Sequence, residues 1–330
     1  MYSYEEFCEK MKEWLEETSE PWLGENHFSI RNVLKPNRMR IGISCEPKDA
    51  NNKFSPTIYL EEIYDVYKKT GDFYEAAECL KSNLQEALAT TKEFDTSAIT
   101  KENVQKNVIF YFLHTEQNQE LLEKYPHREF LNLSIAYKSV LDVNDEGMMC
   151  LPIDHKVADF CGLDEESLYA CAYENTKQFM KPLAFSLTKY VQEYTKTGER
   201  PDLEMLATEC FEEPSMYYVV TNRFHEQGAI SILYPELLQN IADKHDCNLY
   251  LIPASRDEML VLPEDVIDIE KMSEGICEMN QLLSQEDVLS NDVYKFDAKT
   301  QEISQLTNTD QAKLLCQEAV QESDMEMQMT

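Results

Sequence analysis

The sequence predicts an α+β fold: antiparallel hairpins and short sheets covered by amphipathic helices. Three observations predict it. Runs of strand length recur in pairs around turn residues, helical periodicity appears between those pairs, and no sustained β-α-β alternation links them. The chain has 330 residues, 43% of them hydrophobic, enough to bury a sizeable core despite 28% charged residues.

The first helix is legible at the N-terminus, where Tyr4, Phe7, Cys8, Met11, Trp14 and Leu15 recur at helical spacing. Ser3 and Glu6 form a capping-box pattern ahead of it. "HFSIRNVLKPNRMRIGISCEP" then reads as two strands around a Pro-Asn connection. Two helices follow. Tyr59, Ile63, Val66 and Tyr67 share a face of one, and Phe73, Ala77, Leu80, Leu84 and Leu88 share a face of the next. Between them Gly71 suits a helix end and Asp72 a helix start.

"NVIFYFLH" has the composition of a buried strand, and a polar helix is expected over 116–124. A strand at about 129–142, a turn at 144–147 and a returning strand at 148–153 come next. Helices are expected at 154–160, 164–179 and 182–195. The stretch 196–215 holds Gly198, Pro201 and Pro214 among many charges and reads as a connecting segment. Beyond it lie strands at "MYYVVTN" and "GAISILY", then a helix opened by Pro235. "LYLIPASRDEMLVLPE" gives two apolar runs around a polar knot. A helix at 266–283 and a last hairpin in "DVYKFDAKTQEISQL" complete the pattern. The organisation expected is an N-terminal lobe over 1–195, a connection at 196–215, a second lobe over 216–307 and an acidic mobile tail over 308–330.

Charge and composition narrow the function. There are 62 acidic against 30 basic side chains, a formal net of −32. Such a surface repels nucleic-acid phosphate and anionic lipid and attracts basic partners. Ten cysteines are scattered without a C-x-x-C pair, which favours reduced buried thiols over a disulfide framework or zinc cluster. The acidic, amphipathic N-terminus does not resemble a targeting peptide, and "VIFYFL" is far too short to span a bilayer. A cytoplasmic location is the natural expectation, with no cofactor and no metal.

"YPHREFLNLSIAYKSVLD", "YYVVTNRFHEQGAISILYPELLQNIADKHDCNLYLIPAS" and "VLSNDVYKFDAKT" resemble, in this order, a family of gut-associated Firmicutes proteins known only as a domain of unknown function (family 5688). The likeness extends over roughly residues 5–307 and implies no activity, cofactor or catalytic residue. The family pattern has Ser-Ser-x-His-Glu where this chain has Ala254-Ser255-Arg256-Asp257-Glu258. The missing histidine argues against a His-based site in that knot.

Absent motifs exclude several mechanisms. Only eight glycines occur, and the closest two, Gly147 and Gly162, lie fifteen positions apart, so no glycine-rich phosphate cradle can be built. H-E-x-x-H and G-x-S-x-G are also missing. Candidate catalytic residues are His127, Arg128 and Glu129, a base, an anion stabiliser and an orienting carboxylate in one cluster. Arg223 joins them, because Arg is scarce, seven against 23 Lys, and its fork suits carboxylate or phosphate. Glu258 is the remaining candidate. For each, a structural ion pair or turn is the simpler account. Asn222, His225 and Glu226 read as a hairpin loop. Ser255, Arg256 and Asp257 read as a solvated turn, and Cys150 with Asp154 and His155 as a weak thiol-protease pattern. The leading expectation is a non-enzymatic module that binds a macromolecule, most plausibly a protein with a basic surface. An uncharacterised hydrolase or transferase is the alternative, and an acidic DNA mimic the second.

Overall fold

The computed structural model describes residues 1–18, 26–47, 56–92, 99–144, 147–209, 215–264 and 269–306. The expected tail at 308–330 lies outside them. The fold is α+β, in two compact units, 1–100 and 101–330.

In the first unit, α1 (Tyr4–Glu17) starts with the expected capping box, Glu6 N–H donating to Ser3 Oγ and Ser3 N–H to Glu6 Oε2. Strands β1 (Asn26–Lys35) and β2 (Arg38–Pro47) form a hairpin in which Lys35 faces Arg38, with Asn37 left-handed at the turn. The short β3 (Thr57–Tyr59) pairs with β2. Helices α2 (Leu60–Thr70) and α3 (Phe73–Lys92) meet at Gly71, whose φ of 71° needs no Cβ to be accommodated. Asp72 Oδ1 accepts the Tyr74 and Glu75 amides as the cap. Phe7, Met11, Ile43, Leu60, Ile63, Leu80 and Leu84 form the core. Burial pushes the Cys8 thiol in this core up to about 11, against the bond from Tyr4 and helped by the charges of Glu61 and Glu5.

The second unit holds two antiparallel sheets. Helix α4 (Lys101–Asn107) leads into β4 (Val108–His114). A 3₁₀ turn, Glu116–Asn118, and the short α5 (Gln119–Leu122) replace the single helix expected there. The strand expected over 129–142 is instead a hairpin of β5 (His127–Phe130) and β6 (Leu133–Asn144). It reverses at Leu131, which takes φ 59°. An apolar residue at a left-handed position disguised that turn. β7 (Gly147–Pro152) also pairs with β6, giving a four-stranded sheet. Helices α6 (His155–Cys161) and α7 (Glu165–Asn175) follow, capped by Asp154 and Asp164, and α7 runs into a π-turn, Thr176–Met180.

The helix expected over 182–195 begins late. Pro182–Ser186 is strand β8, and α8 (Leu187–Thr197) starts where Ser186 caps Lys189. Pro182 suits the first residue of an edge strand as well as a helix start. Helix α9 (Leu203–Glu209) lies within the stretch expected to connect two lobes. Its Leu203 and Leu206 share a core cluster with Leu183, Phe185 and Val219, so this stretch packs inside the second unit. Strand β9 (Tyr218–Asn222) is as expected, but the strand expected over 228–234 is a 3₁₀ helix, Gly228–Leu233. The hairpin expected around 222–228 is therefore absent. Helix α10 (Pro235–His245) opens on proline, and β10 (Leu249–Ser255) and β11 (Glu258–Pro263) turn through Arg256-Asp257. Helix α11 (Ile269–Leu282), β12 (Tyr294–Phe296) and β13 (Ile303–Gln305) finish the fold. The six-stranded order is β13-β12-β10-β11-β9-β8.

Cys8, Cys45, Cys79, Cys150, Cys161, Cys171 and Cys247 are free thiols, as expected, whereas Cys277 is disulfide-bonded. No helix among the described residues is long and apolar enough to cross a membrane.

The sheets are joined at Asn132. Its amide donates to Ser290 Oγ at 3.1 Å and to Asp292 Oδ2 at 2.6 Å, and its carbonyl accepts the Tyr294 hydroxyl at 2.6 Å. Asn132→Ala should lower unfolding free energy by about 2–3 kcal/mol in urea denaturation, because it strips a donor from the buried Asp292 carboxylate and the acceptor from the Tyr294 hydroxyl. A second expectation concerns Cys8: its thiol should resist alkylation at about pH 8 in the native protein and react only on unfolding, checked by mass spectrometry.

Candidate functional site

The densest polar arrangement lies between β9 and the 3₁₀ helix. Asn222, fully buried, organises it: Oδ1 accepts the Phe224 amide at 3.0 Å and Nδ2 donates to Glu226 O at 2.7 Å. His225 and Gln227 take left-handed φ of 54° and 53°. Such residues cost energy unless their surroundings hold them. Here the β10–β11 turn does so. Gln227 N–H donates to Asp257 Oδ1 at 2.7 Å, and the Thr221 hydroxyl to Asp257 O at 2.6 Å. Gly228 leaves no room for a side chain, since a Cβ would lie 2.1 Å from Thr221 Oγ1 and 2.4 Å from Asp257 O.

This packing places His225 Nε2 at 2.6 Å from Glu258 Oε2, both about 30% exposed. Arg223 projects its guanidinium over Phe224 at 4.5 Å and Phe179 at 5.9 Å, making no ion pair among the described residues. Arg256 is occupied with Asp287, at 3.1 Å. Glu226 reaches Lys138 at 3.6 Å.

The other candidates are separated. Alternation along β5 sends Arg128 to one face and His127 and Glu129 to the other. Arg128 forks onto Glu165 at 3.0 and 2.9 Å, reaches Glu166 at 2.7 Å and lies over the Tyr169 ring at 3.8 Å. The bonds it donates to Glu165 above all hold its guanidinium charged. The same carboxylate accepts the buried Tyr137 hydroxyl, which burial and that bond raise well above its ordinary range. His127 Nδ1 lies 2.9 Å from Tyr125 O, and Glu129 is exposed. No hydrogen bond or ion pair joins these three to Arg223 or Glu258. Asp154 caps α6 at the Val157 amide, 2.8 Å, and Cys150 is raised by burial, with Lys138 opposing. The thiol-protease pattern thus has its acid in a structural bond and its thiol protonated.

A second arrangement was not legible in the sequence. A cleft of about 410 Å³ opens between α9, α10 and the start of β8, with Leu183, Ala207 and Leu237 on its walls. Two ion pairs bridge its rim, Lys181–Glu204 at 2.9 Å and Lys177–Glu236. The π-turn supplies Lys177, and Lys181 follows it with φ 46°. Burial raises the Glu236 carboxyl, but the bond from Lys177 and its own amide outweigh that, leaving it below the usual range. Among the described residues no group of three metal-ligating side chains converges.

Fold and site together define an α+β protein of hairpin-built sheets, with a strained polar loop and an ion-paired apolar cleft. The chain belongs to a family of unknown function (DUF5688), whose model matches residues 4–298. No curated protein and no solved structure matches it.

Gly228→Ala should destabilise the protein by about 1–3 kcal/mol through overpacking, read from urea unfolding. Lys177→Met should cost under about 1 kcal/mol at neutral pH, the pair being half exposed. Because the Glu236 pKa is lowered in the fold, its stabilisation is complete above the unfolded value, ~4.3, and is lost as pH falls through the folded value. The stability gap between wild type and this variant, followed from pH 7 downward, should therefore close on acidification.

Proposed function

We propose that the protein is a non-enzymatic binding module whose partner is a protein with a basic surface. The observation that carries this reading is the net charge of −32. The geometry around the candidate catalytic residues supports it: Arg128 is saturated by carboxylates, and His127 and Glu129 share no contact with Arg223 or Glu258. The apolar cleft offers a place for an anchoring side chain, with Glu204 and Glu236 at its rim. Cytoplasmic location fits the same reading.

Pull-downs with the full chain at about 50 mM and about 300 mM salt test it, since screening shortens the reach of exposed charges. Basic proteins should be recovered at low salt and largely lost at high salt. Recovery of none under either condition, or of acidic proteins only, contradicts the reading.

One observation favours a second reading, a hydrolase or transferase: the partly exposed His225–Glu258 pair with Arg223 on the same loop. A carboxylate that orients a histidine is a recurrent general-base arrangement. If turnover of ester or phosphoester substrates is found, Glu258→Gln should reduce kcat by about 10²-fold or more; turnover unchanged in that variant removes this reading.

A further inference from the structure

The cleft lies at a sheet edge, and its backbone chemistry selects for an extended chain. Among the described residues β8 pairs with β9 alone, so its other side ends the six-stranded sheet. The Arg223 amide donates to Lys181 O at 3.2 Å and the Leu187 amide to Tyr217 O at 3.0 Å. In the β8–β9 register these are the flanking members of the series that includes Leu183↔Thr221 and Phe185↔Val219. Residues 183 and 185 therefore exchange hydrogen bonds with β9, and 182, 184 and 186 direct their backbone groups away from it. Pro182 has no N–H to direct, and the carbonyl of Ser186, the cap of α8, starts that helix. What remains outward is the Pro182 carbonyl, both groups of Ala184 and the Ser186 N–H. None has a backbone partner among the described residues. Ala184 is only 2% exposed, and buried unpaired backbone groups are uncommon enough to demand an explanation.

The helices flank this edge. Leu203 and Leu206 of α9 pack on Leu183, Phe185 and Val219, one face of the sheet. On the other face the Tyr218 hydroxyl meets His245 of α10 at 2.9 Å. The cleft is the gap between those two layers where β8 begins.

The geometry points to strand addition: an extended segment of a partner pairs with β8, sets an apolar side chain against Leu183, Ala207 and Leu237, and places flanking cations by Glu204 and Glu236. This rests on the binding-module reading above and specifies its mode. A helix could fill the cleft but could not satisfy the row of outward groups, whereas an extended chain does both. Basic flanks exchange with Lys177 and Lys181 for the two glutamates, and the acidic surface favours them. Full pairing requires the cleft to widen from Pro182 toward Ser186.

The test uses the full chain and a fluorescein-labelled peptide, Lys-Val-Thr-Val-Thr-Val-Lys, in three forms: unmodified, N-methylated at alternate residues, and with glutamate for both lysines. Anisotropy should show saturable binding of the first, and about tenfold or greater weakening of the other two. Ala207→Trp, which fills the cleft, should weaken the first by a similar factor, and the Ala184 amide should exchange more slowly when peptide is bound. If Ala207→Trp fails to fold by circular dichroism, the N-methyl comparison decides alone. Equal binding of the N-methylated form, or no binding of the unmodified peptide at about 1 mM, overturns strand addition. If salt-sensitive basic partners are still recovered in the pull-downs, only this mode fails; if they are not, the binding-module reading fails with it.

Discussion

The second unit depends on one buried polar junction. Asn132, at the β5–β6 turn, meets Ser290, Asp292 and Tyr294, residues that lie some 160 positions further along the chain. Asp292 is 1% exposed, and a carboxylate there is tolerable only when donors surround it. Ser290 lends its hydroxyl as well, at 3.4 Å, and accepts the Asp292 amide at 3.0 Å. Asn280 of α11 extends the network through Ser290 O and Asn291 Oδ1. Apolar packing alone would let the two sheets slide, because dispersion contacts are non-directional. The amide of Asn132 instead fixes one angle and one register, and the left-handed turn at Leu131 presents it.

The same economy governs charge. Three of the few arginines are used inside the protein's own structure: Arg40, with 8% of its side chain exposed, on Glu61 and Glu62, Arg128 on Glu165 and Glu166, and Arg256 on Asp287. Arg40 and Arg128 also lie over tyrosine rings, at 4.0 and 3.8 Å. A guanidinium can bond a carboxylate in its plane and stack through its face, so each docks a helix carboxylate and an aromatic surface together. Using guanidinium groups this way lets a chain of net −32 anchor helix carboxylates against its own core.

How far the fold was legible follows from where local and tertiary demands agree. The capping box at Ser3, the Pro36-Asn37 turn, Gly71 and the Arg256-Asp257 turn are local signals, and each element they bound was readable. The misreadings lie where two structures share one local pattern. Leu131 takes a left-handed φ that its type disfavours, because Asn132 must reach Asp292. Pro182 opens an edge strand with a signature also suited to a helix. Residues 228–234 alternate like a strand, yet the 3₁₀ helix buries Ala229, Ile230 and Ile232 while Gly228 fits beneath the β10–β11 turn. At the site, Glu258 was readable as a turn carboxylate, but its partner His225 lies 33 positions away, and no periodicity reports such a contact.

The strained loop and the cleft form one mechanical unit, which explains why strain is retained there. The Arg223 amide donates to both Met180 O and Lys181 O, at 3.0 and 3.2 Å, so β9 runs directly into the end of the π-turn. Phe224 lies against Phe179 of that turn, the rings tilted with centroids 5.4 Å apart. The left-handed Lys181 is therefore set by the loop that carries His225 and Gln227, and Lys181 in turn points its amine to Glu204 across the cleft. Non-glycine residues at positive φ cost of order 1 kcal/mol each, and three of them linked through one set of backbone bonds would relax together if the bonds were optional. They are not optional: Asn222 is fully buried and its amide is satisfied only by this loop conformation. The Lys181 side of the cleft is thus braced from beneath by a buried amide that never touches it, which leaves any widening to the helices on its other walls.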